Sequence, residues 1–161
     1  MAFRLFSWLN SLIAGKREGS APDPHLSSMQ KRAEEIRASG LPLQQQEDAL
    51  LRLGRETVNM DEALAIRAHA DYVGDVMANR NTEGAALERL HQADQAMKLY
   101  EANVQDRYKG AYPYERLLAM YSSSGRPQEA RRVCQAYLDH GQGDEDKKAK
   151  FRRWLTDNPR T

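Results

Sequence analysis

Residues 111–141 read AYPYERLLAMYSSSGRPQEARRVCQAYLDHG. Tyr114, Leu117, Leu118 and Tyr121 recur at intervals of three and four, which puts large residues on one face of a helix. Gly125 permits a sharp turn. Pro127 then supplies the φ that suits a first helical turn, as Pro113 does for the preceding segment. On the second segment Ala130 and Cys134 fall on the inner face. A residue as small as Ala130 lets two helix axes approach to about 8–10 Å. The stretch predicts a hairpin of two antiparallel helices, near 113–123 and 127–139.

The pattern on either side is also helical. Gly141-Gln142-Gly143 forms a break, after which a helix over about 144–156 gathers Phe151, Trp154 and Leu155 on one side. Lys147, Lys148, Lys150, Arg152 and Arg153 lie on its other side, a candidate contact for a phosphate backbone and equally an ordinary solvated face. Asp144, Glu145 and Asp146 sit where the helix dipole favours acids. Upstream, Leu87, Leu90, Ala93, Met97, Tyr100, Val104 and Tyr108 recur at helical spacing. No Gly or Pro interrupts 85–108, so one long helix from Thr82 to about Arg107 is expected. Before it, a helix from Asn59 or Asp61 runs through Leu64, Ile66, Tyr72, Val73 and Met77 and is expected to end near Asn79–Asn81. A helix from Pro42 carries Leu43, Leu50, Leu51 and Leu53 and is expected to stop before Gly54. Another runs from Met29 to Ser39, with Ser27 and Gln30 at capping-box spacing and Gly40 at its end. No segment alternates like a strand. The fold class expected is all-α.

The spacing Tyr114, Leu117, Leu118, Tyr121, then Ala130 and Cys134, resembles the tetratricopeptide repeat, whose pattern is W-x2-L-G-x2-Y followed by A-x3-F. Ala96 and Tyr100 precede Ala130 and Cys134 by 34 residues, the period of that family, and Leu87 precedes Tyr121 by the same distance. This fainter copy covers about 85–110, but His91 stands where a turn glycine would be, which favours a continuous helix there. Leu118 stands where the family has Gly, and Gln142 where it has a closing Pro. The resemblance implies antiparallel hairpins closed by a C-terminal capping helix, the one at 144–156. It also implies a concave face that binds a protein or peptide, formed by Tyr112, Glu115, Ala119, Ser122 and Ser123. A generic helical hairpin accounts for the same core positions.

Three parts are expected: an amphipathic helix over 1–14, a linker over 15–28 and a helical domain over 29–161. In the first, Leu5, Trp8, Leu9, Leu12 and Ile13 share one face opposite Arg4, Ser7, Asn10 and Ser11. That stripe suits the protein's own core, a membrane surface or a partner. A secretory leader is disfavoured, since polar residues break the apolar run and Leu12-Ile13-Ala14 is a poor cleavage site. The linker GSAPDPHLSS is small, polar and proline-bearing.

The chain's 161 residues allow one modest domain, with 40% hydrophobic and 29% charged residues. A mean hydropathy of -0.80 suits a thin, well-solvated helical protein. The formal net charge of +1 gives no global attraction to nucleic acid or lipid. One cysteine, Cys134, forms no internal disulfide and no cysteine-based zinc site, and a cytoplasmic location, peripheral to a membrane if residues 2–14 bind one, is the expectation. No apolar run reaches the length of a membrane span. His25, His69, His91 and His140 lack the spacing of a metal motif. Ala14-Gly15-Lys16 lacks the rest of a phosphate loop, and adjacent acids such as Glu34-Glu35 point apart on a helix. No cofactor and no metal site is expected. The sequence therefore reads as a non-catalytic interaction module whose partner is another protein or peptide, with a nucleic-acid-associated factor using the 147–153 helix as the alternative.

Overall fold

The computed structural model describes residues 27–143 and 145–159. The apolar stripe of residues 2–14 lies outside them. The described residues form helices α1 (Ser28–Ala38), α2 (Leu43–Glu56), α3 (Met60–Arg89), α4 (Ala93–Gln105), α5 (Tyr112–Ser123), α6 (Pro127–His140) and α7 (Glu145–Asp157), with no strand among them. The chain divides into two compact units, 1–75 and 76–161, and α3 runs through the boundary.

In the first unit α1 opens on the capping box read from the sequence. The Gln30 amide donates to the Ser27 hydroxyl at 3.1 Å, and the Ser27 amide donates to the Gln30 side-chain oxygen at 2.8 Å. Gly40, at φ 67, reverses the chain. Helices α1 and α2 then pack together and bury Ala33, Leu50 and Leu53. Helix α2 does not stop before Gly54 but continues to Glu56. A glycine within a helix only weakens it, by about 1 kcal/mol relative to alanine, and here α2 is held by its buried face. Asn59 opens α3, its side-chain oxygen accepting the Glu62 amide at 3.1 Å. Ala65, Ile66, Ala70 and Val73 form the buried face of α3 in this unit, whereas Leu64 and Tyr72, read as part of its apolar pattern, are exposed.

In the second unit the expected helix boundaries are corrected. Helix α3 does not end at Asn79–Asn81, and no helix runs from Thr82 to Arg107. The break comes instead at Leu90-His91-Gln92, where His91 takes φ 58. Tertiary partners hold 79–81 helical: Arg80 donates to Asp106 at 2.5 Å, and the fully buried Asn103 donates to Asn81 and to the Met77 carbonyl, each at 2.9 Å. The second unit therefore contains two hairpins, α3–α4 and α5–α6. Their turns are the same. The Gln92 amide donates to the Leu87 carbonyl and the Arg126 amide to the Tyr121 carbonyl, both at 2.9 Å, with His91 at φ 58 and Gly125 at φ 68 in the left-handed position. Each of these positions has its counterpart 34 residues away.

Tyr114, Leu117, Leu118, Tyr121, Ala130 and Cys134 are all buried in one cluster with Ala96, Tyr100, Val104, Val133, Tyr137 and Phe151. Helix α7 packs on α6 through Phe151, whose ring centre is 4.5 Å from that of Tyr137. Trp154 and Leu155 pack beside it, half-buried.

The sign of one substitution separates a turn at His91 from a continuous helix. A non-glycine residue at φ 58 costs about 1–2 kcal/mol, so His91→Gly should stabilise the protein by about 1 kcal/mol in urea denaturation. In a continuous helix the same change would destabilise it by about 1 kcal/mol.

Candidate functional site

The face of α5 expected to receive a partner is partly open. Tyr112, Ala119, Ser122 and Ser123 are exposed and Glu115 is half-buried. Helical spacing sets these five along one side of α5, opposite the buried Tyr114, Leu117, Leu118 and Tyr121. The Tyr112 ring stands edge-on to Tyr100, with centres 6.0 Å apart and planes at 74°. Ser123 spends its hydroxyl on the Met120 carbonyl at 3.0 Å.

Glu115 joins this face to the basic helix. Lys147 and Lys150 each donate to its carboxylate at 3.0 Å, from 32 and 35 residues further along the chain. Burial works against ionisation of Glu115, but the two lysines outweigh it and hold its pKa below the ordinary carboxylate value. The remaining cations of α7 also face carboxylates: Lys148 and Arg152 face Glu145, at 3.6 and 3.2 Å, and Arg153 faces Asp157 at 3.6 Å. Two candidate surfaces that are separate in the sequence thus meet at Glu115, and each of the five basic residues has a carboxylate within 4 Å, Glu115 and Glu145 each serving two.

Sequence reading missed a second carboxylate node. Glu88, on the last turns of α3, accepts the Tyr100 hydroxyl at 2.6 Å and is clasped by the Arg116 guanidinium through both of its oxygens, one contact at 2.9 Å from Nε. A two-pronged pairing of this kind fixes orientation as well as charge. Hydrogen bonding from Arg116 holds the Glu88 pKa below its ordinary value, with burial opposing and Tyr100 adding to the effect. The only sequence signal was that Glu88 falls one residue after Leu87, on the edge of the packed face.

A third node is Glu101, which accepts the Tyr121 hydroxyl at 2.6 Å and Arg132 at 2.5 Å. Burial first, then this carboxylate, pushes the Tyr121 phenol up to about 12. Arg126 lies 4.6 Å above the Tyr121 ring. Glu101, Tyr121 and Arg126, together with Asp94, Met97, Lys98, Ala102 and Gln105, line an open hollow of about 530 Å³.

Cys134 is buried, and burial pushes its thiol up to about 12, so it acts as a small packing residue at neutral pH. His69 is buried with neither ring nitrogen hydrogen-bonded, and burial followed by the nearby charge of Arg37 lowers its pKa. Among the described residues no three His, Cys, Asp or Glu side chains are grouped to hold a metal ion, and no helix is long and apolar enough to cross a membrane. His25 and the stripe Leu5, Trp8, Leu9, Leu12 and Ile13 lie outside the described residues. No protein-family model, curated protein or solved structure matches the chain.

Because the folded Glu88 pKa is depressed, its contribution to stability is present above the ordinary value of 4.5 and is lost as pH falls through the folded value. In urea denaturation at a series of pH values, the deficit of Glu88→Gln relative to the native chain should hold steady near neutrality and shrink below about pH 4.5. A deficit that does not change with pH would mean the carboxylate is not engaged as described.

Proposed function

We propose that the chain is a protein–protein interaction module, an adaptor or regulatory scaffold without catalysis, built on a tetratricopeptide-like stack. The observation that carries this reading is the 34-residue recurrence of two hairpins with the same turn geometry. The recurrence extends beyond the turns. Gly84, Leu87, Ala96 and Tyr100 in the first hairpin correspond to Leu118, Tyr121, Ala130 and Cys134 in the second. Gly84 thus occupies the family's glycine position, the one that Leu118 fills with a larger residue. Phe151 on α7 follows Leu117 by the same interval, which supports α7 as a capping helix that closes the last hairpin.

In such a stack the first helices of successive hairpins line one face. That face would present Tyr112, Glu115, Ala119, Ser122 and Ser123, with Glu115 held in place by Lys147 and Lys150. A tyrosine edge, a small apolar residue and hydroxyls suit an extended peptide or a partner helix, with apolar contact giving affinity and polar groups setting register. The nucleic-acid reading of α7 has weaker support, since each cation of its basic face already has a carboxylate within 4 Å. The buried Cys134, with its raised pKa, supports a packing role over nucleophilic chemistry.

The test is affinity capture with the full chain and with Ala119→Arg/Ser122→Arg, whose positions are exposed and so tolerate change. The variant should keep its helical circular dichroism and lose the specific proteins that the native chain retains. Retention of the same proteins by a folded variant would remove this face from the proposal.

A further inference from the structure

The first unit carries an apolar ridge that the interaction module above does not use. Met60, Leu64, Ala68 and Tyr72 follow one another at four-residue intervals along α3, and all are exposed, the three large ones to 71%, 60% and 42%. Val58, in the loop just before α3, is also exposed, to 99%. A row at this spacing is the kind of ridge that seats a second helix, and twelve residues of helix give it a length of about 18 Å. One side of the row borders the buried face of α3 and the other the exposed Arg67–Asp71 pair, 3.1 Å apart, and an exposed apolar row of this kind is a candidate for cover by another segment.

We propose that the occupant is the chain's own residues 2–14, docking as a helix on this ridge. The attachment point favours it. Arg32 pairs with Glu56 at 3.4 Å, which sets the first turns of α1 beside the last turn of α2, and α2 leads through Thr57–Asn59 directly to Met60. Residues 1–26 therefore leave the described chain at the Met60 end of the ridge. The twelve residues 15–26 can span up to about 40 Å when extended, more than a return to the ridge requires. The dimensions agree, since residues 2–14 as a helix measure about 20 Å. The chemistry agrees as well. Leu5, Trp8, Leu9, Leu12 and Ile13 form one apolar stripe, and Lys16 and Arg17 follow it. The ridge begins beside Asp61 and Glu62 in the first turn of α3. An antiparallel approach brings the basic pair to this acidic end, and Ala68 leaves a low point midway along the ridge for a large side chain.

The experiment uses the full chain with Trp154→Phe, which leaves Trp8 as the sole tryptophan. In dilute, lipid-free solution its emission should be blue-shifted and shielded from acrylamide, independent of protein concentration. Leu64→Asp, and separately Met60→Asp, should abolish both the shift and the shielding while circular dichroism is unchanged, since both positions are exposed. Emission typical of a solvated indole that neither substitution alters would overturn the proposal. So would shielding that survives both substitutions. A blue shift that develops only on addition of anionic phospholipid vesicles would identify a bilayer as the occupant, and one that develops only at high protein concentration a second copy; either would overturn self-docking.

Discussion

Tyr100 is where the second unit is pinned together. Its ring is fully buried and fills the space beside Gly84, so that a Cβ at that glycine would come within 2.5 Å of the ring. The absence of one side chain on α3 thus lets a whole aromatic ring on α4 enter the interface. The hydroxyl at the far end of the ring reaches Glu88, and Glu88 holds Arg116 of α5. Three successive helices are tied by one contact of shape and one carboxylate. Full burial of such a side chain is worth about 1.5–3 kcal/mol, and the two-pronged Glu88 clasp fixes the angle at which the next hairpin sets down.

The second hairpin solves the same packing problem with the sizes reversed. Leu118 replaces the glycine and Cys134 the tyrosine, each 34 residues on, and both are buried. Volume is conserved more closely than residue type, as expected of a close-packed interior. A similar exchange links Asn103 and Tyr137. The first closes the α3–α4 interface through hydrogen bonds to Met77 and Asn81, and the second through rings, Tyr114 at 5.2 Å and Phe151 at 4.5 Å.

What could be read in the sequence was local. The Ser27–Gln30 cap, the Gly125 turn and the buried face of the 111–141 hairpin all depend on residues within one or two helical turns of each other. The His91 turn could not be read in this way, because a left-handed residue is signalled chiefly by glycine and histidine is only a weak mark of it. The helix end expected at Asn79–Asn81 does not form because Arg80 and Asn81 find partners on α4 and at its C-cap, Asp106. Gly84 carries one sequence signal of its role, its 34-residue interval from Leu118. The Glu115–Lys147 and Glu88–Arg116 pairs join residues 32 and 28 positions apart, and only a folded hairpin brings them within reach. The partner face proposed for α5 rests on the family pattern alone.

The packing of Tyr100 against Gly84 is tested most directly by Gly84→Ala, measured by urea denaturation in the native background and in Tyr100→Leu. Helix propensity alone would make the alanine stabilising by about 1 kcal/mol. The close approach predicts instead a loss of roughly 1–3 kcal/mol in the native background, relieved when the ring is removed. A Gly84→Ala protein more stable than the native chain, by the same amount in both backgrounds, would contradict the account.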